Sequence, residues 1–169
     1  MSQFENLVFE GGGVKGIAYA GALIRLEREG VLKNLRRTAG ASAGAITAAL
    51  LALGARGETL RKLVVETPFA KFMDDSAGFL RDAYRMWKHY GWYPGKFFES
   101  WIRQHISVLS GNSDLTFSDL QKLARAEPGR FLELHVTGTD LSGQCAKVYS
   151  ADNTPDMPIW KALRISMSI

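Results

Sequence analysis

A chain of 169 residues, 46% of them hydrophobic, is long enough to bury a core and fits one domain or most of one. Its single cysteine excludes an internal disulfide framework, no apolar run reaches the length that spans a bilayer, and no basic stretch followed by an apolar one marks a cleavable secretory leader. The net charge of +4 gives modest attraction to anionic surfaces, lipid or nucleic acid alike, but the basic residues are scattered, Arg36-Arg37 is the only adjacent arginine pair, and no nucleic-acid motif accompanies them.

In chain order, Leu7 to Glu10 reads as a strand. It runs into Gly11-Gly12-Gly13-Val14-Lys15-Gly16, and Val14 to about Glu29 has helical character. Consecutive glycines leave backbone N–H groups uncovered at a helix start, where they point outward toward negative charge. Gly11, Gly13 and Gly16 fit Gly-x-Gly-x-x-Gly, yet Leu32 to Arg36 supply no acidic ribose partner, and no Gly-Lys-Ser/Thr closes a phosphate loop.

Arg36 to Ala39 reads as a second strand, leading into Gly40-Ala41-Ser42-Ala43-Gly44 and an alanine-rich helix that ends near Leu53. A nucleophilic serine needs this placement: a sharp strand-to-helix turn lifts the hydroxyl clear, over the positive end of the helix, and only small residues fit beside it. Taken alone, the same five residues suit a tightly packed helix start with Ser42 as its N-cap. The glycine loop changes that balance, because acyl transfer needs donors aimed at the developing oxyanion. If the two strands are parallel neighbours joined by a helical crossover, both motifs emerge at one carboxyl edge of one sheet and face each other.

Further along, Gly54 to Gly57 ends the alanine-rich helix, and Glu58 to Glu66 predicts a short helix stopped by Pro68. The stretch from Thr67 to Ser113 carries no recognisable motif but is rich in aromatics: Phe69, Phe72, Phe79, Tyr84, Trp87, Tyr90, Trp92, Tyr93, Phe97, Phe98 and Trp101. They read first as a helical layer packed on the sheet, with some lining a substrate entrance or meeting a membrane interface. Phe131 to Thr139 and Cys145 to Ser150 predict strands in or near a hairpin, with Cys145 a small buried apolar residue. Pro155 and Pro158 mark a turn into a last helix, Ile159 to Arg164, and no repeat or linker divides the chain.

Together these residues resemble the patatin-like phospholipases, which pair a Gly-Gly-Gly-x-Arg/Lys-Gly loop with a Gly-x-Ser-x-Gly serine. Val14 to Tyr19, Gly21-Ala22-Leu23, Gly40 to Ala45, Thr139-Asp140-Leu141-Ser142 and Ala162 to Ile169 match family positions in family order. The resemblance implies a three-layer α/β fold, residues 1–169 forming the N-terminal and central part of the domain, with a mainly parallel central sheet and helices on both faces. It also implies hydrolysis of fatty-acyl esters of phospholipids or related lipids through an acyl-serine and a Ser-Asp dyad. Carried over by position, Ser42 is the nucleophile and Gly11, Gly12 and Gly13 form the oxyanion hole. Lys15 is the basic position that fixes the loop or favours an anionic head group, and Gly16, Gly40 and Gly44 support loop and elbow. Glu10 stands where many relatives carry Asp.

No metal or cofactor is implied. The expected partners are an acyl lipid at a membrane periphery and, as some relatives require, an activating protein; nucleic acid is not among them. The expected location is the cytoplasm or a membrane surface, with delivery into a host cell as an effector known among relatives. The family's dyad aspartate lies in an Asp-Gly-Gly or Asp-Gly-Ala motif beyond the Arg-x-Ser-x-Ser-Ile segment, and no Asp-Gly pair occurs here. Asp114, Asp119, Asp140, Asp152 and Asp156 match no dyad motif, so the base is expected on a continuation of the chain. Two other readings stay open: an α/β-hydrolase esterase using His135, which lies in an alternating strand-like run while His89 and His105 fall in polar helical stretches, and a patatin-shaped binding or scaffold protein without turnover.

Overall fold

A computed structural model describes residues 4–66 and 95–168. Among the described residues four strands form one sheet in the order β1 (Asn6–Phe9), β2 (Arg37–Ala41), β3 (Glu133–Asp140) and β4 (Cys145–Tyr149). β1, β2 and β3 run parallel, and β4 returns antiparallel to β3. The register aligns Leu7 with Thr38 and Leu134, and Phe9 with Gly40 and Val136. Side chains alternate along a strand, so these residues share one face. That face is the buried one: Phe9, Thr38, Leu134 and Val136 are all inside, whereas Val8, of opposite parity, is 71% exposed.

The helix α2 (Ala43–Ala52) lies on the buried face, and every one of its residues is buried. A helix apolar on all sides belongs inside a core, and its alanines allow close approach to the strands. Thr38 donates its hydroxyl to the Ala48 carbonyl at 3.0 Å, so the one polar side chain of β2 in that layer is satisfied. Full burial of Ile46, Leu50 and Leu51 contributes about 1.5–3 kcal/mol each. At the far end of α2, Arg56 donates to the carbonyls of Leu51, Ala55, Gly129 and Arg130, tying the helix exit to the entry of β3.

The other helices among the described residues are α1 (Ala18–Arg28), α3 (Gly57–Val65), α4 (Lys96–Ser110), α5 (Phe117–Ala126) and α6 (Ile159–Ser166). The helix expected from Val14 is divided: Gly13–Ile17 is a 3-10 turn and α1 starts at Ala18. Gly13 at φ +54° tightens the chain there. On α4 the residues Phe98, Ile102 and Ile106 recur every four positions and are buried, so the core-packing expectation holds for Phe98. The aromatics from Phe69 to Tyr93 lie outside the described residues. Thr116 caps α5 by accepting the Asp119 N–H at 3.2 Å, a Thr-x-x-Asp signal that the sequence reading passed over.

The hairpin of β3 and β4 turns through residues 141–144, where Asp140 accepts the N–H groups of Ser142 and Gly143, both at 3.0 Å. Cys145 corrects an expectation: it is exposed, not buried. β4 is an edge strand, and among the described residues no strand lies on its outer side to help cover Cys145.

Candidate active site

Because Phe9 pairs with Gly40 in a parallel ladder, β1 and β2 end side by side, and the two glycine motifs leave the sheet at the same carboxyl edge. Backbone packs on backbone there. A Cβ on Gly40 would collide with the Gly44 carbonyl group and the Ala45 nitrogen, and one on Gly44 would collide with the carbonyls of Phe9 and Glu10. A Cβ on Gly11 would lie 3.3 Å from the Ser42 Cβ, and one on Gly16 would lie 3.2 Å from the Ala43 Cβ. The loop therefore rests directly on the serine turn, as the sequence requires. Tyr19 fixes the loop's entrance by donating to the Glu10 carbonyl at 2.8 Å while stacking edge-on against Phe9.

Ser42 stands at φ 50°, ψ −125°, a backbone conformation that a side chain rarely adopts and that costs about 1–3 kcal/mol. It occupies the N-cap position of α2, but its side chain makes no capping hydrogen bond, so the hydroxyl is not used to start the helix. Its carbonyl accepts from Ala45 at 2.9 Å and Ile46 at 3.3 Å, which holds the strained residue from the helix side. From the other side Ser166 Oγ accepts the Ser42 N–H at 2.9 Å. The half-buried Ser42 hydroxyl donates to the Met167 Sδ at 3.6 Å, its one partner among the described residues. A thioether is a weak acceptor and no base.

The N–H groups of Gly11, Gly12 and Gly13 donate to no protein acceptor among the described residues. Gly12 and Gly13 are exposed and Gly11 is half-buried. Lys15 is exposed on the 3-10 turn, and its ammonium has no partner among the described residues.

The remaining candidates lie elsewhere. β3 sets His135 level with Ala39, about 10 Å back along the strand from Ser42. His105 packs edge-on against Trp101 with centroids 4.5 Å apart, and its half-buried site pushes the imidazole below its ordinary range. His89 falls outside the described residues. Asp140 is held low by the hairpin amides, first that of Gly143. Asp114 is held low by hydrogen bonds from Trp160 and Ser113 and by Arg103, and Asp119 by hydrogen bonds from Thr116 and Lys122. Asp152 and Asp156 are exposed. No aspartate among the described residues hydrogen-bonds to Ser42. Ser166 and Met167, which the sequence reading placed in a matching segment without a role, are the two side chains that reach the serine.

The fold and this edge define an α/β protein that carries a strained serine on a strand-to-helix turn beneath a glycine loop. The sequence profile of the family described as patatin-like phospholipase matches residues 7–169, and the chain belongs to that family. An uncharacterized protein of Bacillus subtilis, YqhO, is 36% identical over 96% of this chain and 54% of its own length. An uncharacterized protein of Acanthamoeba polyphaga mimivirus is 30% identical over 99% of this chain and 52% of its own. The chain thus spans about half the length of the curated relatives it matches. Among solved structures, ExoU from the type III secretion system of Pseudomonas aeruginosa, in complex with SpcU, superposes with a TM-score of 0.76 at 27% identity, over 98% of this chain and 38% of that one.

Proposed function

We propose that the protein is a serine lipid acyl hydrolase that cleaves fatty-acyl esters of phospholipids or related lipids through an acyl-Ser42 intermediate. The observation that carries this reading is the approach of the two motifs: Gly11 abuts Ser42, with the Gly11 to Gly13 amides unpaired among the described residues and the hydroxyl withheld from capping. In the reaction Ser42 Oγ attacks the ester carbonyl, and its proton passes to the dyad aspartate that the family resemblance implies. The oxyanion of the tetrahedral intermediate takes hydrogen bonds from the glycine-loop amides, a contribution worth about 2.7–4 kcal/mol per donor where such donors have been removed. Collapse expels the alcohol, and water then releases the fatty acid from Ser42. Gly16, Gly40 and Gly44 keep loop and elbow in contact, and Lys15 offers its charge to an anionic head group.

Among the described residues no helix is long and apolar enough to cross a membrane, and in this reading contact with lipid is peripheral, aided by the net charge of +4. A protein partner and delivery into a host cell enter the proposal by analogy with ExoU, whose structure holds SpcU. One observation favours a second reading, a patatin-shaped binding protein without turnover: the Ser42 hydroxyl donates to a thioether, and no base among the described residues hydrogen-bonds to it.

A fluorophosphonate, which reacts only with an activated serine, separates the readings. Labelling of the wild type that disappears in Ser42→Ala and persists in His135→Gln is the expected result. Loss in both variants would favour a Ser-His-Asp triad, and an unlabelled wild type would favour the binding protein.

A further inference from the structure

The segment Arg164-Ile165-Ser166-Met167-Ser168 ends α6 beside the serine turn, although it lies more than a hundred residues away in the chain. Its polar side chains divide between two faces. Arg164 and Ser168, four apart, close on each other: the Arg164 guanidinium donates to Ser168 Oγ at 3.0 Å, and that hydroxyl donates back to the Arg164 carbonyl at 3.0 Å. This ties down the last turn of the helix, whose carbonyls would otherwise be unpaired. Ser166, two positions along and so on the other side, is half-buried and presents its oxygen to the Ser42 N–H at 2.9 Å. Ile165 packs toward Gly138 of β3, where an added Cβ would lie 3.1 Å from the isoleucine, so the helix end is also fixed against the sheet.

We propose that Ser166 is a positioning residue for the nucleophile, an assignment that rests on the hydrolase reading. Ser42 holds a left-handed backbone that it would leave if free, and the amide on its amino side has one partner among the described residues, the Ser166 oxygen. Occupation of that amide has a second consequence. Since the Ser42 N–H donates to Ser166 Oγ, that amide is withdrawn from the oxyanion. Ser166 thereby fixes where the hydroxyl sits and withholds one amide from the reaction.

The test uses the full-length protein and three readouts: the second-order rate of fluorophosphonate labelling, kcat and KM on a soluble short-chain nitrophenyl ester, and hydrogen exchange at the Ser42 amide. Ser166→Ala is expected to slow labelling and kcat about tenfold, the factor that corresponds to loss of one ordinary hydrogen bond, with KM unchanged and Ser42 exchange accelerated. Ser166→Thr, which keeps the oxygen, is expected to restore both rates. A Ser166→Ala protein that labels at the wild-type rate, or a Ser166→Thr protein as slow as Ser166→Ala, would overturn the assignment while leaving the hydrolase reading intact. A wild type that never labels would overturn the hydrolase reading and the positioning role with it, and unchanged exchange at Ser42 in Ser166→Ala would separately overturn the hydrogen bond.

Discussion

At the carboxyl edge of the sheet, Gly11, Gly40 and Gly44 press backbone against backbone around a strained serine, whereas the amino edge is made of long charged side chains. There Arg36 meets Glu5 at 3.5 Å largely in solvent, and Arg37 meets Glu133 at 3.1 Å with the carboxylate partly covered. A groove of about 390 Å³ at that edge is lined by Leu35, Arg36, Arg37, Arg125 and Phe131 among others. At one end Gly40 and Gly44 tolerate no added atom and the glycine-loop amides are unpaired among the described residues; the other end is roomy and its charges are mostly matched. The contrast shows where the fold spends conformational strain: a strained, under-satisfied edge is expected at a reacting site, and exposed ion pairs are expected where only solubility is at stake.

The largest effect that would sharpen this contrast is Gly44→Ala. Its Cβ would strike the Phe9 and Glu10 backbone, so stability should fall by about 3 kcal/mol or more in a denaturant titration, with labelling lost as the two strand ends separate. A loss below about 1 kcal/mol would show that the edge gives way more easily than its packing implies. Next comes Ser42→Gly, which removes the nucleophile and relieves the strain at φ 50° together. It should raise stability by about 1 kcal/mol while abolishing labelling, a direct sign that the serine is held there for reaction and not for folding. A destabilised Ser42→Gly would break that part of the comparison. The smallest effect belongs to the opposite edge: Arg37→Ala should change stability by no more than about 0.5 kcal/mol and leave the labelling rate at the wild-type value.

The legible part of the site was the part made by glycine. A loop that must expose amides and a turn that must bring two backbones into contact leave few choices of residue, so Gly11 to Gly16 and Gly40 to Gly44 announced themselves, as did the parallel strands that carry them. Ser166 was not legible as a partner of Ser42, because a serine in the last turn of a helix carries no mark of what it touches across the fold. Cys145 was misread for a related reason: its apolar chemistry favours burial, but its position on the outermost strand decides its exposure. The helix after the glycine loop was placed correctly and its first turn was not, since the 3-10 start depends on the left-handed Gly13.

The central claim is that the Ser42 hydroxyl and the glycine-loop amides serve one carbonyl. A crystal structure of the full-length protein after fluorophosphonate treatment tests it most directly. The account predicts phosphorus bonded to Ser42 Oγ, with the phosphoryl oxygen about 2.7–3.1 Å from at least one of the Gly11, Gly12 and Gly13 nitrogens. An adduct on another residue, or a phosphoryl oxygen turned away from the loop, would contradict it.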